Sequence, residues 1–155
     1  MLSDLYYATN QNGEPIGEQQ MIDEMKSILL AGVFTTSDAM LWAIALLETD
    51  SRVKLKLTKD LRESEDRSYL DCVINETMRL YPPVWSMWYG AREDIHIDGA
   101  TIKKGGAILF NMHAMMRNPT VFKNPDSFSP ERFLEKDFPM QSFIPYGYGQ
   151  RKCIG

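Results

Sequence analysis

Cys153 is the residue on which chemistry in this chain is most readily hung. It lies in the last thirteen residues, Phe143 to Gly155, which read FIPYGYGQRKCIG, two positions after Arg151 and two before Gly155. Gly147 and Gly149 precede it, among the aromatics Phe143, Tyr146 and Tyr148. Glycine lets backbone approach a flat ring closely and take positive φ. Arg151 offers a permanent forked cation for a carboxylate. A cysteine whose sulfur is met by backbone N–H groups can be held as a thiolate. Together these suit a thiolate under a flat, anionic cofactor. Taken singly, each has a plainer account: a lone cysteine in a glycine-rich loop is usually a small buried hydrophobe, and Gly-Tyr-Gly is a turn.

Three further groups carry possible chemistry. Glu76 and Arg79 lie three apart on an expected helix, so they share a face and can pair, although most such pairs are weak and exposed. Ala31-Gly32-Val33-Phe34-Thr35-Thr36 puts a glycine inside an expected helix, at a cost of about 1 kcal/mol relative to alanine, which asks for a packing or functional reason. A close helix crossing, with the threonines bonding back to the helix, would be reason enough. Arg92 stands beside Glu93 and Asp94, where a plain exposed cation is the simplest expectation. His96 and His113 lack the spacing of a metal site and read as structural or surface residues, and Cys72 as a buried helix residue.

The elements that must position these residues follow in order. Residues 1–17 are polar and carry Asn10, Asn12, Gly13, Pro15 and Gly17, so they read as a ragged end or loop. From Glu18 to about Leu47 apolar residues dominate, on one face first and then most of the way round, as in a long helix entering a core. Val53 to Leu61 fits both strand alternation and one helix face, and its Lys, Arg and Glu content favours helix. Ser68 followed by Asp71 resembles a helix start, and Pro82-Pro83 stops that helix. Short strands are expected at Val84 to Tyr89, Ile95 to Ile97, Thr101-Ile102 and Ala107 to Phe110, with Asp98-Gly99 and Gly105-Gly106 as turns. From Asn118 the chain reads as ordered coil around Pro119, Pro125 and Pro130.

Composition sets the bounds. At 155 residues the chain is long enough for one domain with a core, and 44% hydrophobic residues make it ordinary globular protein. A net charge of −4 argues against a nucleic-acid binder. Two cysteines do not form a disulfide framework. No uninterrupted apolar run is long enough to span a bilayer, and the N-terminus lacks a signal-sequence pattern.

Several segments, in order, resemble the cytochrome P450 family. Tyr146, Gly149, Arg151, Cys153 and Gly155 occupy the haem-loop pattern Phe-x-x-Gly-x-Arg-x-Cys-x-Gly, with tyrosine where the family usually has phenylalanine. ETMRLYPPV resembles the family's Glu-x-x-Arg helix and the Pro-Pro segment after it, and Pro130-Glu131-Arg132-Phe133 its Pro-Glu-Arg-Phe motif. Residues 31–36 resemble the oxygen-binding stretch, with Phe34 where an acid is usual.

The resemblance runs from about Glu18 to Gly155 and implies a fold that is mainly α with a small β region. It implies a single partial domain over 1–155, the C-terminal half of such a protein, cut just after the haem cysteine. The implied cofactor is haem b, iron protoporphyrin IX, with Cys153 as the iron ligand and Tyr146, Gly147, Gly149, Arg151 and Arg92 around it. A thiolate ligand pushes electron density onto iron and favours O–O cleavage. Gly32 would leave room and Thr35 would hydrogen-bond dioxygen or its waters. Arg132 would join Glu76 and Arg79 in a lock behind the haem loop, so that losing any one blocks haem incorporation. Trp85, Met87 and Trp88 would give the substrate pocket a bulky apolar wall.

The implied activity is a haem-thiolate monooxygenase, using O2 and two electrons from a reductase or ferredoxin to oxidise an apolar small molecule. Its place would be the cytoplasm or the cytoplasmic face of a membrane, with any anchor outside this chain. Phenylalanine cannot relay a proton, so Phe34 motivates a second reading in which the same fold runs isomerase, dehydratase or peroxygenase chemistry without external electrons. A third is a non-catalytic remnant, whose core face lacks partners to bury it.

Overall fold

A computed structural model describes residues 2–155, with side chains from residue 4 onward. These residues divide into two compact units, one ending at Ser37 and one running Asp38–Gly155.

The first unit opens with α1 (Leu2–Tyr6), after which the chain reverses and Thr9 bridges Pro15 in antiparallel fashion. Asn10 makes the reversal. Its side-chain oxygen accepts from the N–H of Asn12 at 2.9 Å and of Glu14 at 3.1 Å, and Gly13 takes φ 81°. The loop expected over 1–17 is therefore a short helix and a pinned turn. Asparagine in such a turn bonds its own backbone, which composition records only as polarity.

The long helix α2 spans Glu18–Thr49, and its residues up to Ser37 belong to this first unit. By length and composition α2 is sufficient to cross a membrane, with mean hydropathy 1.6 over eighteen residues. This corrects the expectation drawn from apolar runs alone: Ser27, Thr35, Thr36 and Ser37 interrupt the run but weigh little in the average.

In the second unit, α3 (Ser51–Glu63) settles the ambiguous segment as helix. Val53 and Leu57 are buried, whereas Leu55, which strand alternation would bury with them, is 71% exposed. The Asp50 carboxylate caps the helix by accepting from Val53 N at 3.1 Å. Helix α4 (Ser68–Leu80) starts where expected, but the acceptor at its start is Asp66, which takes Ser68 N at 2.9 Å. Most of α4 is buried, including Tyr69, Cys72, Val73, Glu76 and Arg79.

Strand β1 (Ser86–Gly90) pairs antiparallel with β4 (Ala107–Asn111), and β2 (Ile95–Ile97) with β3 (Ala100–Ile102). Asp98 at φ 50° and Gly99 at φ 79° close the second hairpin, the two-residue positive-φ turn that suits strand twist. Asn111 then caps α5 (Met112–Met115), and a coil leads to α6 (Glu131–Glu135). The core gathers Val53, Leu57, Tyr69, Cys72, Val73, Met112, Met116, Phe122, Phe133 and Phe138, with Phe143 packed edge-on to Phe133. The molecule is thus mainly α with a small β region.

Candidate functional site

Within the second unit, α4 presents Glu76 and Arg79 inward, one helical turn apart and both fully buried. The Arg79 fork closes on the carboxylate, with Nε to Oε2 at 2.8 Å and Nη2 to Oε1 at 2.9 Å. Arg132, on α6, donates from Nε to Glu76 Oε1 at 3.0 Å. The Ser129 N–H reaches the same oxygen at 3.0 Å. The remaining guanidinium donors go to main-chain carbonyls: Arg79 Nη1 to Met116 at 2.8 Å, Arg132 Nη1 to Lys123 at 2.9 Å. Arg79 also lies 5.2 Å from the Phe122 ring centroid. The three side chains named from sequence are therefore in direct contact, and they order a coil that has no ladder of its own.

The loop bearing Cys153 runs from Phe143 through a single 3₁₀ turn, Gly149–Arg151. Gly147 and Gly149 take φ 72° and 73°, a conformation that side-chain-bearing residues rarely adopt. The loop closes on itself where Cys153 N–H donates to the Tyr146 carbonyl at 2.9 Å. Gly155 N–H donates to Cys153 Sγ at 3.4 Å, and the sulfur is exposed. Arg151 is exposed, as is Tyr146 at 38%.

Strand β1 approaches this loop from the side. A Cβ on Gly147 would lie 3.3 Å from Met87 Cε, so the strand's methionine seats directly on the loop's glycine. Beside them lies a cavity of about 540 Å³ lined by Met87, Tyr89, Phe110, Met115, Gln141, Ile144 and Tyr148. Of the bulky residues expected on such a wall, Met87 lines it, while Trp85 and Trp88 are exposed. Arg92 is exposed in the connection from β1 to β2 and is not among the lining residues. Tyr89, Phe110, Ile144 and Tyr148 line it as well. Their only sequence signal was strand alternation around Met87 and the aromatic run in the loop.

Gly32 and Thr35 belong to the first unit. Thr35 Oγ1 donates to the Ala31 carbonyl at 2.6 Å, which leaves the hydroxyl oxygen able to accept. A Cβ at Gly32 would meet nothing within 4 Å among the described residues.

A second polar cluster escaped the sequence reading. Glu131 Oε1 accepts from Arg52 Nη1 at 2.7 Å and Tyr69 Oη at 2.8 Å, with Lys56 Nζ at 3.9 Å. Burial pushes the Glu131 carboxyl up, but the bonds from Arg52 and Tyr69 outweigh it and hold it below its usual range. Burial, with help from Glu131, pushes the Tyr69 phenol well up. The cluster ties α3, α4 and α6 together one residue before Arg132.

Cys72 is buried, and burial pushes its thiol up. His96 pairs with Thr101 Oγ1 at 2.9 Å, and His113 is exposed. Among the described residues, no group of three metal-binding side chains forms a further site.

Comparison with known proteins places this geometry. The family model described as "Cytochrome P450" matches residues 1–155. The chain is 30% identical to mouse "Cytochrome P450 4V2" over 97% of its own length and 32% of that protein. It is 30% identical to "Cyclooctatin synthase" of Streptomyces melanosporofaciens over 100% of its length and 37% of that protein. The same species' "Cyclooctat-9-en-7-ol 5-monooxygenase" is matched at 30% identity with the same coverage. Among solved structures, retinoic acid-bound cyanobacterial CYP120A1 superposes with TM-score 0.93 at 26% identity, over 99% of this chain and 39% of that one. The chain spans about a third of the length of the curated relatives it matches.

Proposed function

The chain belongs to the cytochrome P450 family, and on that premise we propose that it is part of a haem-thiolate monooxygenase. The reaction proposed is RH + O2 + 2e⁻ + 2H⁺ → ROH + H2O. R is an apolar small molecule, and the electrons come from a reductase or a ferredoxin. The observation that carries the reading is the Cys153 loop: an exposed sulfur receives a backbone N–H at 3.4 Å, at the end of a loop whose two glycines sit at positive φ.

The residues present fit a haem. Gly147 and Gly149 keep the loop's backbone free of side chains, so a flat ring can approach it. The cavity beside the loop is walled mainly by apolar side chains. When bound, haem supplies the iron at which dioxygen is reduced. Cys153 would hold the iron through its Sγ, to which the Gly155 N–H donates. The Cys153 N–H to Tyr146 carbonyl bond fixes where that sulfur points. Arg151 provides a cation for a carboxylate of the ring. On α2, Thr35 offers a hydroxyl oxygen to accept a proton-bearing partner, and Gly32 keeps one side of the helix bare. Glu76, Arg79 and Arg132 bond one another and main-chain groups, and so would act by holding the coil that precedes the loop.

The test is an absorption spectrum of the haem-loaded protein, reduced and exposed to carbon monoxide. A strongly red-shifted Soret band that disappears in Cys153→Ser is expected. An unshifted band, or one indifferent to that substitution, overturns the assignment of Cys153. Turnover with a reductant and O2 then separates the monooxygenase from a peroxide-driven reaction, the alternative that Phe34 motivates.

A further inference from the structure

We propose that Asn12 is a site of spontaneous covalent modification. The backbone nitrogen of Gly13 attacks its side-chain amide, ammonia leaves, and the residue becomes aspartate or isoaspartate. The site lies in the turn before α2 and is independent of haem. Of the six asparagines in the chain, only Asn12 precedes a glycine. A side chain on the following residue crowds the attack, as after Asn10, Asn75 and Asn111, and the prolines after Asn118 and Asn124 have no N–H to lose. Glycine, without a Cβ, leaves its nitrogen open.

The geometry of the turn singles out the same residue. Asn12 and Gly13 are both exposed, and a Cβ placed on Gly13 would meet nothing within 4 Å. Among the described residues the Asn12 side chain makes no hydrogen bond. The Asn10 side chain makes three: its oxygen accepts from the N–H groups of Asn12 and Glu14, and its amide donates to Glu14 Oε2 at 3.1 Å. One contact opposes the reaction. Gly13 N–H donates to the Asn10 carbonyl at 3.0 Å and must let go before its nitrogen can turn on Asn12. The Asn10 side chain clamps the N–H groups on either side of Gly13, and so acts as the brake.

The step needs only water. The Gly13 nitrogen gives up its proton and bonds to Asn12 Cγ, the Cγ–Nδ2 bond breaks, and Nδ2 leaves as ammonia. One water then opens the cyclic imide at either carbonyl. One opening leaves aspartate; the other leaves isoaspartate, whose main chain runs through the former side chain. Either product moves the formal net charge from −4 to −5. Isoaspartate also adds a main-chain carbon between the two N–H groups that Asn10 Oδ1 holds, so the turn cannot keep both bonds as they stand.

The test is incubation of the whole chain in mildly alkaline buffer, followed by trypsin and fragmentation of the peptide that ends at Lys26. The wild type is expected to gain, at Asn12, the mass difference between an amide and an acid, with a more acidic band on isoelectric focusing. Asn12→Gln should lose that signal. Asn10→Ala should modify roughly fivefold faster, the effect of removing one net hydrogen bond from the turn. Asp98-Gly99 can close the same ring, but it loses water and regains it, so its mass does not change. An Asn12 peptide that stays unchanged in both wild type and Asn10→Ala overturns the proposal, as does a mass gain that falls on Asn10. Modification of Asn10→Ala no faster than of wild type overturns the role of Asn10 as the brake.

Discussion

Glu76 and Cys153 are both points where this chain aims a backbone N–H at an anion or a potential one, yet they are built in opposite ways. The Glu76 carboxylate is sealed: it accepts from two arginines and a backbone N–H, and no part of it meets solvent. The Cys153 sulfur is open, with one backbone N–H upon it and exposed surroundings. A network complete in its hydrogen bonds serves to fix geometry, because every atom is already used. A site with a preformed loop and spare bonding capacity is one that receives something. Along the chain, the segment from Met116 to Phe143, which includes α6, runs from the sealed network to the loop that bears Cys153.

The sharpest break in that comparison is a truncation inside the sealed network. Arg132→Ala leaves the Glu76 carboxylate short of a partner and strands the Lys123 carbonyl, at a cost of about 3–5 kcal/mol. Equilibrium unfolding in denaturant should show it, with loss of haem uptake in parallel. A smaller loss is expected at the neighbouring cluster, where Glu131→Gln should cost about 1 kcal/mol at neutral pH, its pairs being partly exposed. There the sign of the pH dependence is fixed. Glu131 is held below its ordinary 4.5, so the folded state favours the carboxylate. That contribution is whole above the ordinary value and disappears as pH falls through the lowered one. The difference between wild type and Glu131→Gln should therefore shrink on acidification below about pH 4.5, measured as unfolding free energy against pH. Smallest of all for stability is Cys153→Ser, within about 0.5 kcal/mol, since the side chain is exposed and bonded only to Gly155. A large destabilisation there would mean that the loop is part of the lock after all.

How much could be read beforehand divides along the same line. The pairing of Glu76 with Arg79 is legible because residues three apart on a helix share a face, and α4 is recognisable from its apolar spacing and its Pro-Pro stop. The glycines of the cysteine loop announced an unusual backbone, and both adopt it. Arg132 as third partner came from family resemblance, since nothing local relates positions fifty-six residues apart. The Glu131 cluster joins Arg52, Tyr69 and Glu131 over separations of sixty-two and seventy-nine residues, and had no local signal. Val53 to Leu61 was undecided because its apolar pattern satisfies two periods, and burial of Val53 and Leu57 without Leu55 chose between them. The turn at Asn10 was hidden for the opposite reason: a polar side chain that bonds its own backbone looks the same in sequence as one that bonds water.

The manner in which Arg79 and Arg132 hold the coil has a consequence for how this segment tolerates change. Their grip falls on the carbonyls of Met116, Lys123, Asn124 and Ser127, a group that every amino acid supplies. The exposed side chains of Lys123 and Ser127 are therefore free to drift among variants of this protein, because replacing them removes nothing the arginines use. Spacing has no such freedom. Deleting or inserting one residue between Met116 and Ser127 would shift the carbonyls out of register with two immobile guanidinium forks. The coil should accept many spellings and one length.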